Sequence, residues 1–142
     1  GHEGSMVQKA ILLLNQGKDY NDYHEAIQYW DQPPQNAVFA SVQGDIAMTV
    51  AGNYPLKWKG QGKFILEGNN PKHDWQGYIP KKQNAFQLNP ERGFVSSANQ
   101  HSVDEKYPYW FYSSKIEYYR NRRINRILAE MNINKGRDFI IF

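Results

Sequence analysis

The sequence contains no cysteine in 142 residues, so disulfide bridges and thiolate chemistry are excluded. It also lacks any run of 18 or more apolar residues, and no membrane-spanning helix is therefore predicted. Hydrophobic residues make up 40% of the chain, which is enough for one domain with a modest core. We interpret residues 1–6 as an expression-tag remnant and residues 7–142 as that domain.

A strong surplus of one charge is missing as well. The 17 lysines and arginines exceed the 14 aspartates and glutamates by only three. Proteins that bind nucleic acid usually concentrate positive charge on one face, and the charge total gives no sign of that. We therefore expect neither nucleic acid nor a membrane as a partner.

Signals for metals, cofactors and nucleophilic side chains are scarce. His24, His73 and His101 have no spacing that would place two of them on one face of a helix or strand. No Gly-x-Ser-x-Gly motif marks a nucleophilic serine. The glycine-containing residues 60–62 precede a strand-like stretch rather than a helix, so a phosphate-binding loop is not expected. The sequence predicts no metal site and no cofactor.

Two helices are predicted in the first 30 residues. Residues 7–16 are rich in aliphatic side chains and are followed by Gly17, which fits a helix, although a short buried strand would fit equally. Residues 22–30 form an amphipathic helix, capped by Asn21 or Asp22. Its apolar face consists of Tyr23, Ala26, Ile27 and Trp30.

A third helix is predicted over residues 115–131, capped by Ser113 or Ser114. Its apolar stripe consists of Ile116, Tyr119, Ile124, Ile127, Leu128 and Met131. Arg120 lies on the same side, at the edge of that stripe. An arginine in this position needs a partner, and the oxygen that it contacts could be functional.

Strands are predicted in the middle of the chain. Residues 37–42 and 46–52 indicate a hairpin that turns at Gly44. Frequent glycine, proline and asparagine residues over positions 52–93 predict irregular backbone, with at most a brief strand at residues 64–68. The aromatic residues expected to pack these loops are Trp58, Trp75 and Tyr78. Ordered loops of this length usually frame a site.

Asn99 is the best candidate for chemistry in the chain. A short apolar strand is predicted over residues 94–97, and Asn99 would present a neutral amide at the end of that strand. Structural capping is the ordinary role of such an amide, and hydrogen bonding to a substrate is the alternative. A non-catalytic module that binds a sugar or a peptide through exposed Trp and Tyr side chains is the competing function from another class.

Several motifs follow one another along the chain in a particular order. They are Gln35–Ala40, Gly44–Ala47, Ala51–Pro55, Trp75–Pro80, Asn89–Val95, Ala98-Asn99 and Tyr118–Ile124. None is specific alone, but their order and spacing resemble the β-chain of penicillin acylases over roughly residues 20–131.

The resemblance implies an N-terminal nucleophile hydrolase, made as a precursor that cuts itself. A serine at the start of the β-chain attacks an amide carbonyl, and its own α-amino group acts as the base. The implied fold is α+β, a fragment of an αββα sandwich in which helices flank short antiparallel strands and long loops. The implied function is the cleavage of acyl groups from small amides, and family members suggest a periplasmic or extracellular location.

The resemblance also assigns roles to two residues. Asn99 matches the family's oxyanion asparagine, and Arg120 matches the arginine that orients the catalytic amine and that asparagine. A neutral, preorganised donor suits this task because negative charge appears on the oxygen only in the tetrahedral state. The expected catalytic residues are therefore Asn99 and Arg120.

The chain departs from the family pattern in several places. The family's Ser-Asn-x-Trp start is missing, so we expect the nucleophile upstream of this chain and no activity from the chain alone. Gln100 stands where members often have asparagine, and Ser41 stands at a usual aspartate position. Phe111 replaces a calcium-binding aspartate of some members, so calcium is expected, if at all, only in the intact enzyme.

The expected partners follow from the same resemblance. They are the remainder of the same enzyme, meaning its α-chain and the rest of its β-chain, and a small acylated amide substrate. Strands that lack their native neighbours would also promote self-association of the fragment.

Overall fold

A computed structural model of the chain describes residues 4–111 and 117–135. In the last helix it describes the side chains only up to residue 131. Three helices and a three-stranded antiparallel sheet confirm the predicted α+β class. The helices are α1 (Val7–Gln16), α2 (Tyr20–Ile27) and α3 (Tyr119–Lys135); the strands are β1 (Gln35–Ala40), β2 (Ile46–Ala51) and β3 (Phe86–Leu88). Two short 3-10 helices lie at Pro71–His73 and Lys81–Gln83.

α1 has the predicted bounds, whereas α2 begins two residues earlier and ends three residues earlier than predicted, which leaves Trp30 outside the helix. α1 ends at Gln16, and the N–H of Gly17 donates to the carbonyl of Leu14 at 3.3 Å. The predicted cap of α2 at Asn21 or Asp22 is wrong, because the Asp19 carboxylate accepts the hydrogen bond from the N–H of Asp22 at 3.0 Å. Three of the four residues predicted for the apolar face of α2 are buried, namely Tyr23, Ala26 and Ile27.

β1 and β2 form the predicted hairpin, with Val38 opposite Met48. The turn begins earlier than predicted: the N–H of Ser41 donates to the carbonyl of Asp45 at 2.9 Å, which closes the hairpin after Ala40. Val42 was predicted in the strand, but it lies in this turn and is 99% exposed. Gly44 adopts φ +97°, a left-handed backbone that glycine accepts without strain.

β2 is the central strand, and all six of its residues are buried. β3 pairs with its other edge, with Ala47 opposite Leu88 and Thr49 opposite Phe86. This third strand was not predicted, because it has only three residues and lies among turn-forming residues. Its side chains are exposed, so burial left no clear hydrophobic pattern to find.

The core lies between α2 and the sheet. Tyr23 and Ile27 pack with Ala47 and Ala51 of β2. The Tyr23 ring stacks on Phe39 with the centroids 4.8 Å apart, and its hydroxyl donates to the carbonyl of Ala37 at 2.9 Å. One aromatic side chain thus joins α2 to β1 through both apolar and polar contacts.

The connection after α2 is fixed by an ion pair between Lys81 and Asp31. Lys81 also donates to the carbonyl of Gln28 at 2.8 Å, and the N–H of Met6 donates to the Asp31 carboxylate at 2.8 Å. Desolvation by burial acts to raise the pKa of Asp31, but the hydrogen bonds from Lys81 and Met6 and the charge of Lys81 outweigh it and lower the pKa below its ordinary value. Asp31 is therefore held as a carboxylate.

Residues 52–93 are mostly irregular, as predicted, but the predicted means of packing them is wrong. Trp58, Trp75 and Tyr78 are 42%, 56% and 38% exposed, and residues 64–68 form no strand. Buried amides hold these loops instead. Gln61 donates to the carbonyl of His73 at 3.0 Å, and Asn84 donates to that of Gly52 at 2.9 Å.

α3 begins at Tyr119, four residues later than predicted. Leu128 of the apolar stripe is buried, and Ile124 and Ile127 are half-buried. Tyr119 was predicted in the stripe, but it is 72% exposed. The predicted stripe residue Ile116 and the predicted cap at Ser113 or Ser114 lie outside the described residues. Within residues 4–111 and 117–135, no helix is long and apolar enough to cross a bilayer.

Candidate active site

Phe94, Val95 and Ser96 approach the candidate site as a buried segment. The strand predicted at residues 94–97 is wrong, because this segment is not part of the sheet. Side chains hold it instead. The Asn36 amide of β1 donates to the Ser97 hydroxyl at 2.5 Å, and the Ser96 hydroxyl donates to the Asn125 amide oxygen of α3 at 2.6 Å. The segment is thus fixed between the sheet and α3.

Asn99 lies at a bend directly after this segment and is exposed. Its φ is +62°, in the left-handed region that costs most residues roughly 1–2 kcal/mol. Asparagine tolerates this conformation better than most residues, because its short polar side chain can hydrogen-bond locally. The bend therefore turns the Asn99 side chain out of the packed segment at a small cost in backbone energy.

Arg120 contacts this bend directly. Its Nη2 donates to Oδ1 of Asn99 at 2.6 Å and to the carbonyl of Ala98 at 3.2 Å. A guanidinium has donors only, so the oxygen end of the Asn99 amide must face it. The Nδ2 end, which is a donor, is then the end that can serve another oxygen. The structure brings the two predicted site residues together, and their catalytic role stays a prediction.

The placement of Arg120 depends on how α3 is attached. Arg120 is the second residue of the helix, and Asn125 lies just over one turn later. The Asn125 amide oxygen accepts from Ser96, and its nitrogen donates to Oδ1 of Asn121 at 2.9 Å. Because Ser96 precedes Asn99 by three residues, these bonds fix α3 against the chain that carries Asn99.

Gln100 adds a third set of contacts. Its Oε1 accepts from the N–H of Ala98 at 2.6 Å, and its Nε2 donates to the carbonyl of Ser96 at 3.2 Å. Sequence reasoning noticed Gln100 only as a departure from the family and did not single out Ser96, Asn121 or Asn125. The available signals were a hydroxyl within an apolar segment and two asparagines four residues apart on a helix.

A polar cavity of about 180 Å³ adjoins Gln100. It is lined by Met48, Gln87, Arg92, Ser96, Gln100, His101, Ser102 and Asn121. Desolvation lowers the pKa of the Arg92 guanidinium from its ordinary value, and the Tyr118 hydroxyl lies 3.1 Å from Nδ1 of His101. The cavity beside Gln100 is thus lined mainly by polar side chains.

The residues considered for metal binding do not come together in the described part of the chain. In residues 4–111 and 117–135, no three His, Cys, Asp or Glu side chains are grouped to hold an ion. Phe111, at the position where some members carry a calcium-binding aspartate, packs against Tyr54 with the ring centroids 4.6 Å apart. The His73 ring lies 6.0 Å from the Trp58 ring, and the His101 ring lies 5.8 Å from the Tyr118 ring, measured between centroids.

Comparison of the sequence with known proteins identifies relatives of this chain. A model of the penicillin amidase family matches residues 1–139. An acyl-homoserine lactone acylase QuiP of Pseudomonas putida is 31% identical, over 81% of this chain and 15% of its own length. Penicillin acylase 2 proenzyme of a Pseudomonas species is 26% identical, over 75% of this chain and 14% of its own length.

A solved structure supports the fold. A thermostable penicillin G acylase from Alcaligenes faecalis superposes with a TM-score of 0.62 at 16% identity, over 78% of this chain and 21% of that one. This chain covers 15% and 14% of the length of the two curated relatives named above. The family match covers nearly all of its residues, and the chain belongs to the penicillin amidase family of acylases.

Proposed function

We propose that this chain is the part of an N-terminal-serine amide hydrolase that supplies the oxyanion asparagine, Asn99, and the arginine that positions it, Arg120. The hydrogen bond of 2.6 Å from Arg120 Nη2 to Asn99 Oδ1 carries the proposal. It selects the orientation of the Asn99 amide in which a donor is presented, which is the orientation that an oxyanion requires.

The proposed chemistry uses this donor in the tetrahedral state. When a serine hydroxyl attacks an amide carbonyl, the carbonyl oxygen gains negative charge, and Nδ2 of Asn99 donates to it. Arg120 polarises the amide from its other end, because its positive charge lies against Oδ1. The donor is held in place before the reaction, so little reorganisation is needed as the charge develops.

The proposed substrate class is a small molecule whose acyl group is joined to nitrogen. Two of the relatives are named as acylases, one for acyl-homoserine lactones and one for penicillin. Both names describe compounds in which an acyl group is attached through an amide.

The nucleophile is proposed to come from the rest of the enzyme. The chain spans about 15% of a curated relative and contains no Ser-Asn-x-Trp motif. Trp58 and Trp75 are partly exposed, as the competing sugar- or peptide-binding module requires. That module gives no role to the contact between Asn99 and Arg120, so the hydrolase proposal accounts for more of the structure.

Two substitutions of Asn99 in the full-length enzyme test the proposal. Asn99→Ala removes the amide but places a Cβ residue at φ +62°, whereas Asn99→Gly removes the amide and suits that backbone. Both are expected to lower kcat by about 10²-fold with little change in KM, since the lost interaction exists only in the transition state.

The matched control is Asn69→Ala, which removes an exposed loop amide elsewhere. It is expected to leave kcat and KM unchanged. Steady-state hydrolysis of an acylated chromogenic amide measures all three variants. Wild-type turnover by Asn99→Gly would contradict the proposal, because that variant lacks the donor. A loss of activity shared by both variants cannot be attributed to backbone strain, because glycine accepts this backbone without strain.

A further inference from the structure

Two side chains contact the backbone next to Asn99. Arg120 contacts the Asn99 side chain and the carbonyl of Ala98. The N–H of Ala98 and the carbonyl of Ser96, which lie on the approach to the bend, are bound by a different side chain. That side chain is Gln100, which follows Asn99 directly.

We propose that Gln100 is a positioning residue that sets the bend at Asn99 and so aims the Asn99 amide. Its Oε1 accepts from the N–H of Ala98 at 2.6 Å, and its Nε2 donates to the carbonyl of Ser96 at 3.2 Å. One carboxamide thus bridges backward across the left-handed residue to two backbone groups. This inference rests on the proposed function of Asn99.

The backbone groups that Gln100 holds are themselves anchored. Ser96 is 2% exposed, and its hydroxyl donates to Asn125 of α3 at 2.6 Å. Gln100 therefore ties the exposed bend to a buried residue that is fixed to α3, the helix that also carries Arg120. Arg120 and Gln100 therefore both connect the bend to α3, Arg120 directly and Gln100 through Ser96.

A glutamine is suited to this task because the two backbone groups are of opposite kinds. The carboxamide offers one acceptor, which the N–H of Ala98 needs, and one donor, which the carbonyl of Ser96 needs. A methionine has a similar length and volume but satisfies neither group. A glutamate keeps the acceptor and loses the donor. These differences define the variants to be tested.

In the full-length enzyme, Gln100→Met is expected to lower kcat about tenfold with KM unchanged, because a small misplacement of the donor weakens only the transition-state contact. Gln100→Glu is expected to lose at least as much, since the carboxylate keeps the bond from the N–H of Ala98 but places its second oxygen, an acceptor, against the carbonyl of Ser96. The matched control is Gln76→Met, because Gln76 also donates to two backbone carbonyls, those of Pro71 and Asp74, in another loop. Its kcat is expected to stay at the wild-type value.

A double-mutant cycle shows whether Gln100 acts through Asn99. In an Asn99→Ala background, Gln100→Met is expected to cause no further loss of kcat, because the donor that it aims is already gone. Equal losses in both backgrounds would mean a general structural role and would overturn the inference. If Gln100→Met does not fold, as judged by thermal unfolding, Gln100→Glu takes its place in the cycle, with the same two readings.

The failure of this inference differs from the failure of the proposed function. If Asn99→Ala is impaired and Gln100→Met turns over at the wild-type rate, only the role of Gln100 is overturned. If Asn99→Ala itself has wild-type turnover, the proposed function is wrong, and this inference is overturned with it.

Discussion

Position 99 makes separate demands on its side chain and on its backbone. The backbone is left-handed, which glycine and asparagine accept most readily, and the side chain is held by a guanidinium that bonds only to acceptors. Glycine satisfies the first demand alone. Aspartate offers an acceptor to Arg120 but has no donor end. Asparagine is the residue that meets both demands and still presents an N–H group.

At this scale, Arg120→Met in the full-length enzyme is expected to lower kcat by roughly 10- to 100-fold, because a hydrogen bond from a charged group contributes about 1.5–3 kcal/mol. The kcat of Arg120→Lys is expected to lie between those of the wild type and Arg120→Met, since lysine keeps the charge but not the planar group that reaches both oxygens. Steady-state kinetics measures the series.

Arg123→Met is the control for Arg120, because Arg123 is an exposed arginine on the same helix. It removes the same charge and is expected to leave kcat unchanged. If Arg123→Met lost as much activity as Arg120→Met, the overall charge of α3 would be responsible, and the specific contact with Asn99 would not.

Asn99 and Arg120 could be predicted as site residues from the sequence, but the residues that support them could not. Asn99 was singled out as an amide at the end of a predicted strand and Arg120 as an arginine beside an apolar stripe, and the resemblance to the family then gave each a role. Ser96, Gln100 and Asn125 are polar residues whose partners depend on how α3 docks against residues 94–100. A contact between residues 29 positions apart has no local pattern, so propensity and periodicity could not reveal it.

Elements with a long hydrophobic period were predicted best. α2 repeats its apolar residues every three or four positions, and the hairpin of β1 and β2 turns at a glycine, whereas the aliphatic run of α1 fitted a helix and a strand equally. β3 and the segment at residues 94–97 were assigned wrongly, for opposite reasons. β3 pairs in the sheet although its side chains are exposed, whereas residues 94–96 are buried without joining the sheet.

At the scale of elements, Tyr23 is the anchor between α2 and β1, and its ionisation gives a second prediction. Burial raises its pKa to about 12, against about 10 in an unfolded chain. The neutral phenol therefore contributes its full stabilisation below about pH 10, and that contribution is lost as the pH rises from about 10 to about 12. The loss amounts to about 3 kcal/mol at the upper end of that range.

Tyr23→Phe removes both the hydroxyl and its ionisation. At pH 7 it is expected to lower the free energy of unfolding by about 1 kcal/mol, since the bond to the carbonyl of Ala37 is lost. Above about pH 10 it is expected to lose stability less steeply than the wild type. Urea unfolding at a series of pH values measures both effects. Tyr119→Phe is the control, because Tyr119 is exposed, and a slope equal to the wild type in Tyr23→Phe would contradict the prediction.

At the scale of the whole molecule, the chain is proposed to contribute the oxyanion donor but not the nucleophile. Its family was recognisable from the order of seven short motifs, because order and spacing survive even where identity to a relative is only 31%.

The isolated 142-residue chain is expected to show no hydrolysis of acylated amides. Asn99 and Arg120 are proposed to stabilise an oxyanion, but the serine nucleophile is proposed to belong to the rest of the enzyme. The measurement is release of a chromogenic amine, with the full-length enzyme at equal molar concentration as the reference. Hydrolysis by the purified chain that disappears in its Asn99→Ala variant would show that the nucleophile lies within these residues.

The hydrogen bond between Arg120 and Asn99 has a consequence for how the sequence can change over time. An arginine at position 120 has little to hold if position 99 loses its amide oxygen, and an amide at position 99 can turn either way if the arginine is lost. Neither residue keeps its value without the other. Among relatives that diverge in other ways, the two positions are expected to be inherited as a unit and to be abandoned together.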